Sequence, residues 1–508
     1  MDFSASVALK CSARPVARPL STRQEGCSAL RTAQAWHLRA DYVSGNHMTR
    51  PAMRACCDTP ARLLWRVARH APATRALRPL CSSAQQPPAA QRTVLVVGGG
   101  AAGLTAAYFA ARAGAAVTVL ERNGEAGKKI LMSGGTRANV LPLALDTSRD
   151  FFTSSSPNAL RRVLLSWPLG DMHAWLEKDV GVPLQLEEET SKWFPRSSSG
   201  GREVRDKLVA ACTRAGARVA FRASMERLER VNGRWVVTCA DGAKHSADAV
   251  VISTGGLSFP AVGTDGTGHR LVKGALGHSL RPVFPALVPL LGAHPGGGAA
   301  LAGVSIQTVA LRYGLGAKAP TAHRGGFLFT HKGYSGPSVL DMSHRFVTAT
   351  GDAAATPLVA NWTGESAAVW SERLAAPGPQ LVVSRVTSAG LPARLAAALC
   401  AAADVPPDRK AAELRKEERQ RLLAALTEFH LPVGGNAGYT KAEVTGGGVP
   451  LAEVRLDTLE SRLAPGVFLA GEVLDAFGRI GGFNFTWAWA SGRLAGLGAA
   501  AGGDTAPA

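Results

Sequence analysis

Thr93-Val94-Leu95-Val96-Val97-Gly98-Gly99-Gly100-Ala101-Ala102-Gly103 decides the fold. The first five residues are a short β-branched run, the composition of a strand buried on both faces. The next six match G-x-G-x-x-G. Leu104 to Arg112 is a helix former that Gly114 can end, and Val117 to Glu121 reads as a second strand. Each part has a physical task. Gly98 permits a tight turn, Gly100 lets the backbone approach a pyrophosphate, and Gly103 lets helix and strand pack closely. The N–H groups of Ala101 and Ala102 lie at a helix N-terminus, whose dipole favours phosphate. Glu121 closes the second strand and can accept hydrogen bonds from a ribose diol. A lone G-x-G-x-x-G in a glycine-rich chain can be a chance packing turn. Strand, turn, helix, strand and acid in order point to a dinucleotide site. The acid argues against a 2′-phosphate there, although Arg122 follows it directly.

Downstream pieces favour FAD over NAD. Residues 127–139 read GKKILMSGGTRAN, placing Lys129, Ser133, Gly134 and Gly135 just beyond the second strand. A simple NAD domain would go straight to its next strand-helix unit. A basic surface loop is the bland alternative. An apolar strand at Ala249–Ile252 stops at Ser253-Thr254-Gly255-Gly256, and glycine there lets a cofactor come close. A last strand, 466–470, ends in Gly471-Glu472 and Asp475. It is followed by Gly481-Gly482-Phe483-Asn484 and a helix dense in small and aromatic residues. A helix N-terminus at that point can stabilise negative charge on a reduced flavin; a buried helix with core Trp is compatible with the same residues. An N-terminal dinucleotide fold completed by the last 50 residues implies a large insertion. The expected class is α/β, a Rossmann-like FAD domain of the two-dinucleotide-binding type split across the chain.

Taken together, VVGGGAAGLTAA, GKKILMSGGTRAN, VISTGGLSFPAVGTDGTGH, FLFTHKGYSGPSVLDMS, AEVTGGGV and GEVLDAFGRIGGFNFTWAWASG resemble one family. It is the aminoacetone oxidase family of FAD-binding enzymes, also grouped as NAD(P)/FAD-dependent oxidoreductases, of bacteria and plants. A bile-acid 3-dehydro-delta(4,6)-reductase shares that label. The resemblance spans residues 93–498 and implies inserted β-rich and helical domains. The boundaries expected are a leader and linker at 1–90, FAD domain at 91–280, β-rich insert at 281–385, helical insert at 386–437, FAD domain again at 438–500, and a disordered tail at 501–508. The family usually reads S-G-G-G-R-C-N, followed by Phe/Val-Thr-Asn. Here Thr136 replaces the third Gly, Ala138 replaces the Cys, and Val140-Leu141-Pro142 follow. Thr486 stands where Gln is usual.

Composition bounds the rest. Hydrophobic residues at 46% and charged residues at 19% exclude wholesale disorder. Of the formal charge of +19, residues 1–92 carry +10, with 14 Lys/Arg against four acids. Arg-, Ala- and Ser-rich, poor in acids and lacking an apolar run, this leader reads as an organelle transit peptide, a mitochondrion ahead of a plastid. Val94 to Ala111 is 18 uncharged residues, but its glycines argue for strand, turn and helix, not a membrane span. No metal-ligand spacing is evident, and the dispersed Cys of the body exclude a disulfide relay.

The expected activity is hydride transfer through flavin N5 to or from a small organic substrate. NAD(P)H stands as a diffusible donor without an evident site. His331, Tyr334 and Arg479 are the catalytic candidates, Tyr334 as proton donor and Arg479 as anion holder; a turn Tyr and a surface Arg are their bland counterparts. Two alternatives stand beside this: a flavin protein with little turnover, prompted by Thr136 and Ala138, and a flavin-dependent RNA-associated protein. The latter is prompted by +9 on residues 93–508. Scattered basic residues without an aromatic-basic face count against nucleic acid. Oligomeric state is not legible.

Overall fold

The computed structural model describes residues 91–314, 323–350 and 356–502. The leader expectation, and residues 503–508 of the tail, lie outside them. Five parallel strands form the organising sheet. Their spatial order is Val467–Leu469, Ala249–Ile252, Thr93–Val97, Ala116–Glu121 and Arg218–Phe221. The C-terminal strand thus pairs beside a middle strand in register (Val250 with Val467, Ile252 with Leu469), closing the split domain. Val94 to Val97 are buried on both faces, as a sheet with helices on each side requires.

Two helices cover this sheet at the site. Ala101–Arg112 packs against the C-terminal helix Phe483–Ala501, which is buried nearly all round. The approach is very close. A Cβ on Gly492 would lie 2.4 Å from the Ala102 carbonyl oxygen, and one on Gly496 2.3 Å from that of Ala106. Small residues on both helices therefore let the backbones touch. The uncharged run 94–111 is strand, turn and helix, and among the described residues no helix is long and apolar enough to cross a membrane.

The insertion forms an antiparallel seven-stranded sheet, in order Phe429–Leu431, Leu358–Asn361, Ser305–Tyr313, His323–Thr330, Gly333–Ser335, Leu290–Gly292 and Val433–Asn436. The helical residues expected as a separate domain share this sheet's core. Leu395 and Leu399 of helix Ala393–Ala402, and Leu422 and Leu426 of Lys416–Thr427, join Phe327, Phe329, Trp362 and Trp370 in one cluster. The chain then returns to the sheet at both edges. Amphipathic helices of 10 and 12 residues cannot bury an apolar face alone, so sheet and helices fold as one unit.

Candidate functional site: a dinucleotide cavity

The strand Thr93–Val97 ends in Gly98 at φ +101°, where a Cβ would meet the Ser253 carbonyl oxygen at 2.6 Å. That contact brings the Ser253-Thr254 turn beside the glycine turn. The Gly99 N–H donates to Glu121 Oε2 at 2.9 Å, and the Asn123 backbone and side-chain N–H groups donate to Oε1 at 2.8 and 2.7 Å. Glu121 therefore organises the turn first; its Oε2 keeps a lone pair for a further donor. The helix from Ala101 has no side-chain cap and no acid in its first turn, which leaves its positive end open. A Cβ on Gly100 would meet nothing within 4 Å.

These residues line a cavity of about 550 Å³. Its walls run from Glu121, Asn123 and Ala223–Met225, past the helix N-terminus, to Ser133, Gly134, Asn139, Lys192, Phe194, Gly481 and Gly482. The C-terminal helix fixes the middle. The Ser491 hydroxyl accepts from Gly471 N–H at 3.0 Å, and Trp487 Nε1 donates to Gly471 O at 3.0 Å. Beside it Lys129 Nζ pairs with Glu472 Oε1 at 2.5 Å. Burial pushes the nearby Glu443 carboxyl up, with Lys129 opposing and Glu472 adding to the shift. At the Glu121 end Arg122 bonds Asp265 at 2.8 Å and the Gly263 carbonyl at 3.0 Å, closing a loop over the site. Burial works against ionisation of Asp265, but bonds from Thr267 and Arg122 outweigh it and hold the carboxyl at about 2.

The residues fit FAD. Three buried polar atoms of lining residues have no partner: Asn139 Oδ1, Thr254 Oγ1 and Glu472 Oε2. Unsatisfied buried acceptors are costly, and ribityl hydroxyls and ring N–H groups are donors suited to them. The open space over Gly100 and the uncapped helix suit a pyrophosphate. The polarity of a dinucleotide then follows. With the adenosine ribose at Glu121 and the pyrophosphate at Ala101, the residues that would hold the isoalloxazine are Asn139, Gly481 and Gly482.

Of the sequence-derived cofactor candidates, Gly98, Gly100, Ala101, Ala102, Glu121, Arg122, Lys129, Ser133, Gly134, Thr254, Gly255, Gly471, Glu472, Gly482 and Asn484 line this cavity. Four do not. Gly103 serves packing, since its Cβ would lie 1.9 Å from the Gly98 carbonyl oxygen. Gly135 lies off the lining. Asp475 is buried and accepts from Ser154 N–H at 3.0 Å and the Ser154 hydroxyl at 2.6 Å. Phe483 packs edge-on against Phe151.

None of the three catalytic candidates lines this cavity. His331 is exposed on the turn between two strands of the insert. Tyr334 is fully buried in the insert's core, and its hydroxyl donates to the Ala293 carbonyl. Its place in the sheet, opposite Leu290 and Phe329, turns its ring inward. Arg479 pairs with buried Asp150 at 2.9 Å and lies over the Phe483 ring. Residues missed by sequence reasoning are Asn139, Lys192, Phe194 and Glu443. Lys192 and Phe194 share a short strand, Lys192–Pro195, whose one signal was a lysine in an otherwise apolar run. Thr136 and Ala138 hold left-handed φ of +77° and +55°, the conformation glycine favours. Among the described residues no His, Cys, Asp or Glu cluster could hold a metal. The described thiols, Cys212, Cys239 and Cys400, are buried and unpaired, and burial pushes Cys212 up to about 12.

Comparison with known proteins agrees with this construction. A family model described as "HI0933-like protein Rossmann domain" matches residues 92–498. The 3-dehydro-bile acid delta(4,6)-reductase of Clostridium scindens is 31% identical over 404 residues, 78% of this chain and 96% of that one. A ribosomal RNA dihydrouridine synthase of Escherichia coli is also 31% identical, over 75% of this chain and 91% of its own. The Haemophilus influenzae protein of the same name is 27% identical, over 75% and 92%. The strand-turn-helix cradle, the split sheet and these matches lead to one conclusion: the chain belongs to the HI0933-like family and is an FAD-dependent oxidoreductase.

Proposed function

We propose that this enzyme reduces a carbon–carbon double bond conjugated to a carbonyl in a small organic ring. The observation that carries the reading is what the relatives have in common. A 3-dehydro-bile acid with double bonds at positions 4 and 6 is a conjugated ketone, and making dihydrouridine saturates the C5–C6 bond conjugated to the uracil C4 carbonyl. The substrates differ widely in size and polarity, so the reaction class transfers where the substrate does not.

Bound FAD supplies hydride transfer at N5. The chain's own residues do the rest. The open helix end at Ala101 and Ala102 would take the pyrophosphate charge, and Glu121 would take a ribose hydroxyl. Asn139 and Glu472 would accept from the ribityl-flavin portion, and the Arg122–Asp265 pair would hold the loop across the adenosine end. NAD(P)H is the proposed diffusible donor.

For the ring's carrier, we place uridine in RNA first. Two of the three relatives named above have ribosomal RNA in their names, and residues 93–508 carry 43 Lys/Arg against 34 Asp/Glu. A free cyclic enone is the second reading, favoured by the bile-acid enzyme at equal identity. The test is to incubate FAD-loaded protein and NADPH or NADH with unmodified ribosomal RNA and, separately, with a steroid 4-en-3-one. A two-dalton gain in an RNA fragment supports the first, and loss of enone absorbance supports the second. Flavin that bleaches with NAD(P)H but passes electrons to neither removes the reading. An organelle address for residues 1–90 is proposed from the basic leader; import of a fluorescent fusion tests it.

A further inference from the structure

Lys192 is the cation at the flavin end of the cavity left without a partner. Arg122 is taken by Asp265, Lys129 by Glu472, and Arg137 by Glu187 at 2.8 Å while it lies 4.2 Å over the Phe194 ring. Lys128 also lines the cavity, beside Gly127, and its charge acts on Glu125. Lys192 makes no hydrogen bond or ion pair among the described residues, yet it is half-buried and lines the cavity. Its position is set by the sheet: Lys192 pairs with Pro142 on one side and Glu187 on the other. A Cβ on Gly481 would come within 3.0 Å of Lys192 Cε, and one on Gly482 within 2.7 Å of Asn139 Oδ1. Lys192, Gly481, Gly482 and Asn139 are therefore neighbours where the isoalloxazine is placed.

We propose that Lys192 is a catalytic residue whose ammonium binds the substrate's carbonyl oxygen. This rests on the conjugated-reductase reading above. When hydride adds to the β carbon, the double-bond pair shifts and negative charge grows on that oxygen. An ammonium in a partly dry site stabilises it well beyond what water would. The Lys192 proton then goes to the α carbon as the carbonyl re-forms, and solvent returns it. The ring gains one hydride and one proton, and the two electrons arrive with the hydride. The surroundings suit both roles. Burial lowers the Lys192 pKa, as does Arg479 from the turn before the C-terminal helix. Asp341 from helix Pro337–Val347, and Glu187 from the paired strand, oppose this. The proton is thus more readily given up.

The test uses FAD-loaded protein and p-chlorophenol, a planar ring that carries an oxyanion when ionised. Wild type is expected to capture the phenolate near neutral pH, read as a long-wavelength absorbance band with oxidised flavin. Lys192→Met keeps FAD and loses at least about tenfold in affinity, ~1.4 kcal/mol; Lys192→Arg retains the band. In wild type the phenolate affinity falls on the alkaline side as Lys192 loses its proton. Unchanged phenolate affinity in Lys192→Met, no band in wild type, or a wild-type phenolate affinity that does not fall on the alkaline side overturns the assignment. Should Lys192→Met not hold FAD, the Lys192→Arg and pH arms decide. Phenolate capture with no turnover of enone or RNA would fail the reductase reading alone and leave the oxyanion site standing.

Discussion

Replacing Gly100 by Ala separates cofactor binding from folding. The residue has φ −82° and ψ −172°, an extended conformation open to any residue, and a Cβ there meets no protein atom within 4 Å. Alanine is a poorer N-cap than glycine, but it also restricts the unfolded chain; the two effects are each about 0.5–1 kcal/mol and opposed. Stability without FAD should therefore change by less than about 0.5 kcal/mol. The methyl enters the space where the pyrophosphate approaches the backbone. Overpacking of about 1–3 kcal/mol then falls on the complex alone, weakening FAD roughly 5- to 150-fold. Thermal unfolding of the apoprotein and a fluorescence titration with FAD measure the two quantities. Gly103→Ala is the contrast: its Cβ would lie 1.9 Å from the Gly98 carbonyl oxygen and 2.5 Å from Ser253 Oγ. That variant should lose stability by about 2 kcal/mol or more, beyond the ~1 kcal/mol helix-propensity gain. Gly100→Ala binding FAD as tightly as wild type would refute the placement of the pyrophosphate.

Thr136→Gly should raise stability by about 0.5–1 kcal/mol, because an exposed β-branched residue sits at φ +77°; a chemical denaturation series with no gain would show that the loop has relaxed around Thr136. Tyr334→Phe should leave kcat and KM unchanged and cost about 1 kcal/mol through the lost bond to Ala293, and a kcat falling tenfold or more would return Tyr334 to the site. Asp265 has its pKa held near 2, below the ordinary 3.8, so its contribution is present above about pH 4 and is lost as pH falls toward 2. Asp265→Asn should flatten that part of the acid-unfolding profile, and an identical acid limb in both proteins would contradict it.

The dinucleotide half of the fold was legible because its signals are local. A β-branched run, three glycines at fixed spacing and an acid 18 residues after Gly103 state their roles through backbone geometry alone. The C-terminal return was also readable, since Gly471-Glu472 repeats the strand-to-glycine pattern at the far end. The catalytic candidates fall off the cavity wall for a physical reason. Tyr334 and His331 lie in a motif rich in polar residues, but whether a strand residue faces core or cavity depends on register. Opposite Leu290 and Phe329, the Tyr334 ring turns into the insert's core.

Chain order alone determined that a phosphate-binding turn exists, that the chain must return to it, and that glycine is needed where backbones touch. Only tertiary structure decided which charges stay unpaired. Arg479 and Lys192 look alike on paper; Arg479 shares buried Asp150 with Arg149, while antiparallel pairing with Glu187 and Pro142 carries Lys192 to the cavity wall. Pairing energies depend on distance and burial in space, and residues 137, 187, 192 and 481 become neighbours only when separate strands and turns converge.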